Sequence, residues 1–175
     1  MSYPHDAGLD ADTLALLAGF RSGAPAAAPD AEMLGHLRDD MPADLKAWLH
    51  TYALHGGLVS IGDAWFEAGN VQPLRHVVEA FEPDDDSLAH EGVDGLDLDA
   101  AMVMGNTADG EVFFAAAWRP GDERLTLVKF CCAGYADDGY HALGSLVAGL
   151  RRIADKVEDP SEIDEAVRAV LAPGR

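Results

Sequence analysis

The sequence predicts an α+β fold, a single domain in which a central antiparallel β-meander of about four to six strands packs against several helices. Three short apolar runs indicate the meander: Met102–Gly105, Val112–Trp118 and Leu125–Cys131. The turn signals Asp109-Gly110 and Pro120-Gly121-Asp122 separate them, and Asp-Gly between apolar runs is a strong hairpin signal. Helical patterns lie before and after these runs without strict β-α alternation, which favours α+β over α/β.

The middle run, Val112–Trp118, is apolar at every position instead of alternating. A strand with water on one face alternates between apolar and polar residues, whereas a strand covered on both faces does not. We therefore expect other parts of the chain to pack over both faces of the meander.

An N-terminal appendage and linker, residues 1–29, is expected to precede the main domain. Asp10 or Asp12 is a candidate N-cap for a short helix, which would place Leu14 and Leu17 on one face. Two prolines and a glycine near the end of this segment interrupt any regular element. The residues expected to dock the appendage are Leu14, Leu17 and Phe20.

The main domain is assigned to residues 30–157 and opens with two helices. Asp30 is a candidate N-cap of the first helix. Pro42 opens the second, where its missing N–H costs nothing, and Gly56-Gly57 supplies a left-handed stop after about Leu54. Apolar residues of the second helix are spaced to form one buried stripe. They are Leu45, Trp48, Leu49, Tyr52 and Ala53.

The region between this helix and the meander contains a strand, a helix and an acidic stretch. The strand is expected at Leu58–Ile61, and Trp65-Phe66 continues its apolar character. Helical spacing of apolar residues predicts a helix over Val71–Phe81. The stretch Glu79–Asp99 holds nine carboxylates and no Lys or Arg, which is typical of a solvated loop.

The region after the meander is expected to be a turn followed by helices. Residues 135–140 are polar and turn-like. Apolar spacing over Leu143–Val157 predicts the clearest helix of the chain, with Ser145 inside it and facing outward. The C-terminal segment, residues 158–175, is expected to form a short last helix that begins at Pro160.

The charge of the chain restricts its partners. Its 31 acidic and 12 basic side chains give a net charge of −19, which repels phosphate backbones and anionic membranes. We therefore expect no direct nucleic-acid binding and no membrane binding. The same charge would steer a basic protein partner toward the chain, although maintaining solubility is an equally supported interpretation.

The chain has the features expected of a cytoplasmic protein. No apolar run is long enough to span a membrane, and the N-terminus lacks the basic start and apolar core of a secretory signal. Cys131 and Cys132 are adjacent in a predicted strand, where their side chains point to opposite faces. Reduced thiols are therefore expected rather than a disulfide framework. The sequence leaves monomer and homodimer open.

No catalytic, cofactor or metal motif is recognisable. The seven histidines include no pair at the i, i+4 spacing that places two metal ligands on one helix face. Ser145 lacks the second glycine of a nucleophile elbow, and no glycine-rich nucleotide loop occurs. We expect a non-enzymatic protein without cofactor or metal. A small hydrolase whose site is assembled from distant residues is a further alternative, because such a site leaves no local motif.

Acidic residues and aromatic residues in loop-like context are the candidate partner contacts. Trp65, Tyr135 and Tyr140 lie beside acidic residues and would suit a protein-binding patch. Anchoring of the loops themselves is an equally supported role for these rings. The candidate acidic contacts are Glu79, Glu82, Asp84, Asp85, Asp86, Glu91, Asp94, Asp97, Asp99, Asp137 and Asp138.

Two stretches resemble a known family. Leu37–Tyr52 followed by Gly56-Gly57 joins a short helix, a proline-started helix and a glycine turn into a strand. Met102–Gly105, Asp109-Gly110 and Val112-Phe113-Phe114 form an apolar strand, a turn and a second strand. Through these stretches, the chain resembles the SUKH superfamily of bacterial toxin-immunity proteins, which are related to fungal regulators of cell-wall synthesis.

The resemblance implies a non-enzymatic protein that binds and neutralises a cognate toxin, often a nuclease. The charge points in the same direction, because a nuclease holds phosphates with a basic surface for which an acidic inhibitor can compete. The segments expected to make contact are residues 79–99 together with Asp137 and Asp138. A regulatory or adaptor domain of the same fold, without a toxin partner, is the alternative.

Overall fold

An eight-stranded, mostly antiparallel sheet organises the fold in this computed structural model, which describes residues 3–81, 87–134 and 137–171. The strands are Leu58–Ile61 (β1), Ala64–Glu67 (β2), Gln72–Pro73 (β3), Ala89–Glu91 (β4), Met102–Thr107 (β5), Val112–Ala117 (β6), Thr126–Cys131 (β7) and Gly139–Gly144 (β8). Seven of them are hydrogen-bonded in the order β1-β2-β5-β6-β7-β8-β4, and β3 pairs with β5. The β8–β4 pair is parallel, and the others are antiparallel.

Helices cover both faces of this sheet. The α-helices of the described residues are Ala11–Phe20 (α1), Ala31–Gly35 (α2), Ala43–His55 (α3), Leu74–Phe81 (α4), Leu146–Ala154 (α5) and Glu165–Leu171 (α6). Side chains of α1, α3, α5 and α6 share one hydrophobic core with one face of the sheet, which we call the inner face. The opposite face, which we call the outer face, shares a second core with α4. The chain is therefore a single α+β domain, as the sequence predicts.

The predicted meander is confirmed as β5-β6-β7-β8. In its second strand, β6, successive side chains enter different cores. Phe114 and Ala116 belong to the inner core, and Phe113 and Ala115 belong to the outer core. The unbroken apolar run is thus explained by burial of β6 on both faces.

Aromatic rings fill the centre of the inner core. Trp48 and Tyr52 of α3 contact Phe20 of α1, with ring centroids 5.5 and 5.8 Å from the Phe20 ring. Phe66 of β2 lies 5.3 Å from Phe114 of β6. The predicted apolar stripe of α3 is buried in full, and the helix ends at Gly56 with φ 62°, as the glycine signal predicts.

The N-terminal helix belongs to this inner core. Asp10 caps α1 by accepting the Thr13 N–H at 2.8 Å. Leu17 and Phe20 are buried as expected, but the third buried apolar residue is Leu16 rather than Leu14. The buried face of α1 therefore differs from the predicted face, because the helix packs against both α6 and α3.

Close contacts hold the N-terminal segment in place. Gly19 lies so near α6 that an added Cβ would stand 2.7 Å from the carbonyl oxygen of Ala166. Arg21 donates to both carboxylate oxygens of Asp6 at 2.8 Å, and its guanidinium carbon lies 3.6 Å above the centre of the Tyr3 ring. Leu16, Leu17 and Phe20 of the first flanking segment and Val167 and Leu171 of the last belong to the same inner core as residues 30–157.

A buried carboxylate ties α3 to the loop that precedes β7. Asp44 is 1% exposed. Its carboxylate accepts the main-chain N–H of Leu45 at 2.9 Å and that of Leu125 at 3.1 and 3.2 Å. Burial raises the pKa of Asp44, while the N–H donors act in the opposite direction.

Three strands lie where the sequence predicts other structure. β3 takes the first residues of the helix predicted over Val71–Phe81, because Gln72 and Pro73 pair with β5 and the helix begins only at Leu74. β4 lies within the acidic stretch that is predicted to be a loop. β8 takes the end of the predicted turn at residues 135–140 and the first residues of the predicted Leu143–Val157 helix. Gly144, with φ 102°, ends β8, and Ser145 is the N-cap residue of α5 rather than a residue inside the helix. The helix prediction was too long because Leu143 fits the helical spacing while lying in a strand.

The C-terminal segment runs beside the open edge of β1. A 3₁₀ turn at Pro160–Glu162 replaces the predicted start of the last helix. Ile163 forms a β-bridge with Ile61, and the Asp164 N–H donates to the Ser60 carbonyl oxygen at 2.9 Å. The helix α6 begins only after this bridge because residues 163 and 164 are extended along β1.

Within residues 3–81, 87–134 and 137–171, no helix combines the length and the apolar character needed to cross a membrane.

Candidate functional site

Among the described residues, three large apolar side chains are substantially exposed, and all three belong to the outer side of the sheet. Leu58 is 53% exposed, Trp65 is 44% exposed and Phe81 is 45% exposed. Leu58 in β1 and Trp65 in β2 alternate with residues buried in the inner core. Phe81 ends α4 and packs edge-on against Phe113, with ring centroids 5.7 Å apart. We call Leu58, Trp65 and Phe81 the apolar patch.

The strand register explains how Trp65 is presented. It pairs with Asn106 of β5, which pairs with Phe113 of β6. The same row continues through Phe130 and Tyr140, so five neighbouring strands each place one side chain on the outer face. Phe113, Phe130 and Tyr140 belong to the outer core, whereas Trp65 stays exposed at the far side of this row. The apolar patch is thus an uncovered continuation of the outer core.

Four of the predicted acidic contacts are exposed on the segments that cover the outer core, namely α4 and residues 93–99. Glu79 is exposed on α4. Asp94, Asp97 and Asp99 are exposed between apolar residues that pack onto the outer core. Those apolar residues are Val93, Leu96 and Leu98. Within the described part of the chain, no Lys or Arg forms an ion pair with any of these four carboxylates. The outer side of the sheet therefore carries both the apolar patch and exposed carboxylates without an ion pair, although Arg119 donates to the main-chain carbonyl oxygen of Asp94 at 3.1 and 2.7 Å.

The other predicted acidic contacts in the described residues lie elsewhere. Asp138 holds the turn between β7 and β8, where its carboxylate accepts the N–H groups of Ala133 at 3.2 Å and Gly134 at 2.7 Å. Glu91 in β4 and Asp137 lie on the inner side beside His141. The predicted acidic set is thus divided among the layer over the outer core, the turn between β7 and β8, and the inner side of the sheet.

The predicted loop context is wrong for Trp65 and Tyr140. Trp65 lies in strand β2 but is exposed, which agrees with a contact role. Tyr140 lies in strand β8, is 8% exposed and stacks on Phe130 at 4.8 Å between ring centroids. Its burial agrees with the anchoring alternative. Five predicted contacts lie outside the described residues, namely Glu82, Asp84, Asp85, Asp86 and Tyr135.

A cleft of about 720 Å³ opens on the inner side of the sheet, beyond the C-terminal end of α5. The strand register places Phe114, Lys129 and His141 side by side on its floor. Arg152 and Lys156 line it from the end of α5 and the residues just beyond it. We call it the cationic cleft after Lys129, Arg152 and Lys156, and four carboxylates also belong to its lining. Further lining residues are Ile61, Asp63, Ala64, Glu91, Val112, Asp137, Ala142, Leu143, Ile153, Asp155 and Val157.

A hydrogen-bond network fixes two of these basic groups. Lys129 donates from Nζ to the Asp137 carboxylate at 3.1 Å, and this hydrogen bond lowers the pKa of Asp137. His141 contacts the Glu91 carboxylate through Nδ1 at 3.0 Å and the Asp137 carbonyl oxygen through Nε2 at 2.8 Å. Lys129 and His141 are therefore held in place by groups of the chain itself.

The cysteine thiols are poorly suited to nucleophilic chemistry. Burial raises the pKa of Cys131 and raises that of Cys132 to about 11. A thiol must ionise to act as a nucleophile or a metal ligand. Both side chains are thus expected to remain protonated at neutral pH.

The described residues also contain no cluster of three or more His, Cys, Asp or Glu side chains placed to hold a metal ion. The lining of the cationic cleft includes no serine, threonine or cysteine. The described cleft thus offers acid–base groups but no hydroxyl or thiol nucleophile.

Sequence reasoning identified Trp65 but missed the rest of the apolar patch and the basic side of the cleft. A period of two in β1 is the signal that could have placed Leu58 on the same face as Trp65. No local signal joins Lys129, His141 and Arg152, because they come from two strands and a helix that meet only in the folded chain.

Comparison with known proteins finds no matching family model, no matching curated protein and no matching solved structure.

Proposed function

We propose that this chain is a non-enzymatic binding protein that neutralises a basic protein partner, with a nuclease-like toxin as the partner class. The single observation that carries the proposal is the position of the apolar patch on the same side of the sheet as exposed carboxylates that form no ion pair with a Lys or Arg of the described residues. The resemblance to toxin-immunity proteins supports the choice of a toxin. A cytoplasmic location is part of the proposal and is supported by the two unpaired cysteines.

The apolar patch supplies what the centre of a protein interface needs. Binding energy concentrates in a few large side chains, with Trp prominent among them. Trp65 stands on a rigid strand that β1 and β5 flank, so little ordering is needed when a partner covers it. A partner side chain that packs on the exposed part of the Trp65 ring would remove apolar surface of both residues from water.

The acidic layer supplies attraction and selectivity. Exposed carboxylates act mainly on the association rate and on the choice of partner. A protein that binds nucleic acid carries a basic surface, and Glu79, Asp94, Asp97 and Asp99 would face that surface while Trp65 is covered. The partner's phosphate-binding groups would then be occupied, which is how the chain would block its activity.

The proposal is tested by recovering the partner and then mutating the patch. The intact chain is immobilised, exposed to lysate of its own cell at low salt and eluted with rising salt, and the eluted proteins are identified. A basic protein is then purified and its nuclease activity is measured with and without the chain. Inhibition at a fixed stoichiometry supports the proposal, and a partner whose activity is unaffected contradicts it.

Two matched substitutions separate the apolar and acidic contributions. Trp65→Ala is expected to weaken binding about thirtyfold, because truncation of a central aromatic anchor costs about 2 kcal/mol or more. Glu79→Lys with Asp99→Lys is expected to slow association several-fold. The control is Glu158→Lys with Glu162→Lys, which makes the same charge change at exposed positions outside this layer. Equal effects of the two charge reversals would show that only net charge matters.

A further inference from the structure

We propose that the cationic cleft binds a small organic anion, a molecule with an apolar body and a phosphate or carboxylate group. This site lies on the opposite side of the sheet from the apolar patch and goes beyond the partner binding proposed above. The shape of the cleft, the apolar residues of its lining and two basic side chains without an ion pair support this site.

The cleft has the size and lining of a small-molecule site. Its volume of about 720 Å³ falls within the range of roughly 300–1,000 Å³ that is usual for such pockets. Phe114 of the floor and Ile153 and Val157 of the wall are among its apolar lining residues. Such sites combine a mostly apolar lining with a few polar groups that fix orientation.

The basic groups of the cleft fall into two pairs with different roles. Lys129 and His141 are occupied by Asp137 and Glu91, as described above. Arg152 has one long hydrogen bond, from Nη1 to the Ala142 carbonyl oxygen at 3.5 Å, and no ion pair among the described residues. The side chain of Lys156 has no hydrogen bond or ion pair there. The second pair therefore offers donors that the fold itself does not use.

Arg152 and Lys156 are exposed and belong to the six described basic side chains that form no ion pair, the others being Lys46, Arg75, Arg119 and Arg168. Several other arginines of the chain form ion pairs: Arg21 with Asp6, Arg38 with Asp40, Arg124 with Asp10 and Arg151 with Asp12. In the cleft, by contrast, Asp63 and Asp155 lie in the lining without forming an ion pair with Arg152 or Lys156.

The available donors define the class of ligand. A guanidinium presents paired N–H groups that match the oxygens of a phosphate or carboxylate, and Lys156 adds a second positive charge. The apolar lining favours a ligand with a hydrocarbon or aromatic body over a bare inorganic ion. Phosphate and carboxylate ligands share this chemistry, and titration with each distinguishes them.

The test is a calorimetric titration of the intact chain with 2-naphthyl phosphate and, separately, with 2-naphthoate. The comparison compounds are 2-naphthol, which lacks the charge, and inorganic phosphate, which lacks the apolar body. We expect saturable 1:1 binding of at least one naphthyl anion, about tenfold or more tighter than either comparison compound, because apolar burial and charge-assisted hydrogen bonds both contribute. No saturable binding of either anion, or equal binding of 2-naphthol, overturns the proposal.

Two double variants locate the bound anion. Arg152→Gln with Lys156→Gln is expected to weaken binding about tenfold or more, since the charge-assisted contacts are lost. Arg38→Gln with Arg75→Gln removes the same charge outside the cleft lining and is expected to leave binding unchanged. Trp65→Ala is also expected to leave it unchanged. Equal loss in both double variants, or loss in Trp65→Ala, would place the anion elsewhere. Failure of this test does not affect the partner-binding proposal, whose test depends on Trp65.

Discussion

Asp44, in the first turn of α3, accepts the main-chain N–H of Leu125, a residue 81 positions later that stands just before β7. Both residues are buried, at 1% and 2% exposure. A helix near the start of the chain is thereby joined to the loop between the two central strands of the meander.

Replacing Asp44 with Ala is expected to lower the free energy of unfolding by about 1–3 kcal/mol, because the Leu125 N–H would be left buried without a partner. Chemical denaturation of the two proteins measures the difference. The control is Asp12→Ala, which removes an exposed carboxylate paired with Arg151 and is expected to change stability by less than about 1 kcal/mol. Equal effects of the two substitutions would contradict a special role for the Asp44–Leu125 contact.

The same carboxylate predicts a pH dependence. Burial raises the pKa of Asp44 in the folded state above its ordinary value of 3.8, so between these two pKa values the folded chain binds more protons than the unfolded chain. The protonation-linked part of the stability that Asp44 contributes is therefore fully present below the unfolded pKa and is lost as pH rises through the folded pKa, whereas its hydrogen bonds to the main-chain N–H groups are a separate contribution. Asn does not titrate, so acidification should stabilise the wild type relative to Asp44→Asn. Unfolding free energies measured from pH 7 down to pH 4 test this sign, and a constant difference would refute it.

The exposure of Trp65 predicts the fluorescence of the chain. Trp48 and Trp118 are 0% and 1% exposed, whereas Trp65 is 44% exposed. Acrylamide should therefore quench one component of the emission strongly, and Trp65→Phe should remove that component. Trp118→Phe serves as the comparison and should keep it. Undiminished quenching in Trp65→Phe would mean that this ring is covered in solution.

The buried thiols predict slow chemical modification. The pKa of Cys132 is raised to about 11 from the ordinary value of 9.0, so its thiolate fraction near pH 8 should be about a hundredfold below that of an unperturbed cysteine. Reaction with a disulfide reagent should be slower by a similar factor than for a short cysteine peptide. Urea-unfolded protein provides the control, because its cysteines should react at the peptide rate. A native rate equal to the peptide rate would contradict the raised pKa of Cys132.

The contact between α1 and α6 predicts the effect of a single added methyl group. Gly19→Ala would place Cβ 2.7 Å from both the Ala166 carbonyl oxygen and a Val167 methyl carbon, which should lower stability by about 1–3 kcal/mol. Gly35→Ala is the matched control, since nothing lies within 4 Å of the added Cβ. Thermal unfolding of both variants measures the difference. Indifference to Gly19→Ala would mean that α1 is only loosely attached.

The elements predicted well from the sequence are those whose ends are marked by proline, glycine or a turn dipeptide. Pro42 and Gly56 mark the limits of α3, and Asp109-Gly110 marks the hairpin between β5 and β6. The β8–α5 boundary was misplaced because Leu143 continues the helical spacing of Leu146 and Leu150. Only the positive φ of Gly144 ends the strand there.

The strand β4 was not predicted because it lies within the acidic stretch. Its carboxylates indicate a loop, but Ala89–Glu91 needs only backbone pairing with β8 to become a strand. The apolar patch and the cationic cleft depend on strand order, since each combines residues far apart in the chain. Sequence patterns could propose Trp65 as exposed, but they could not place Lys129 beside His141.

The bridge between Ile61 and Ile163 also bears on self-association. β1 lies at one end of the sheet, and an open edge of this kind offers unpaired N–H and C=O groups to strands of other molecules. Residues 162–164 satisfy part of that edge through hydrogen bonds with Ser60 and Gly62. The C-terminal segment thus protects the sheet from intermolecular strand addition, and a chain shortened before residue 160 would present a surface prone to aggregation.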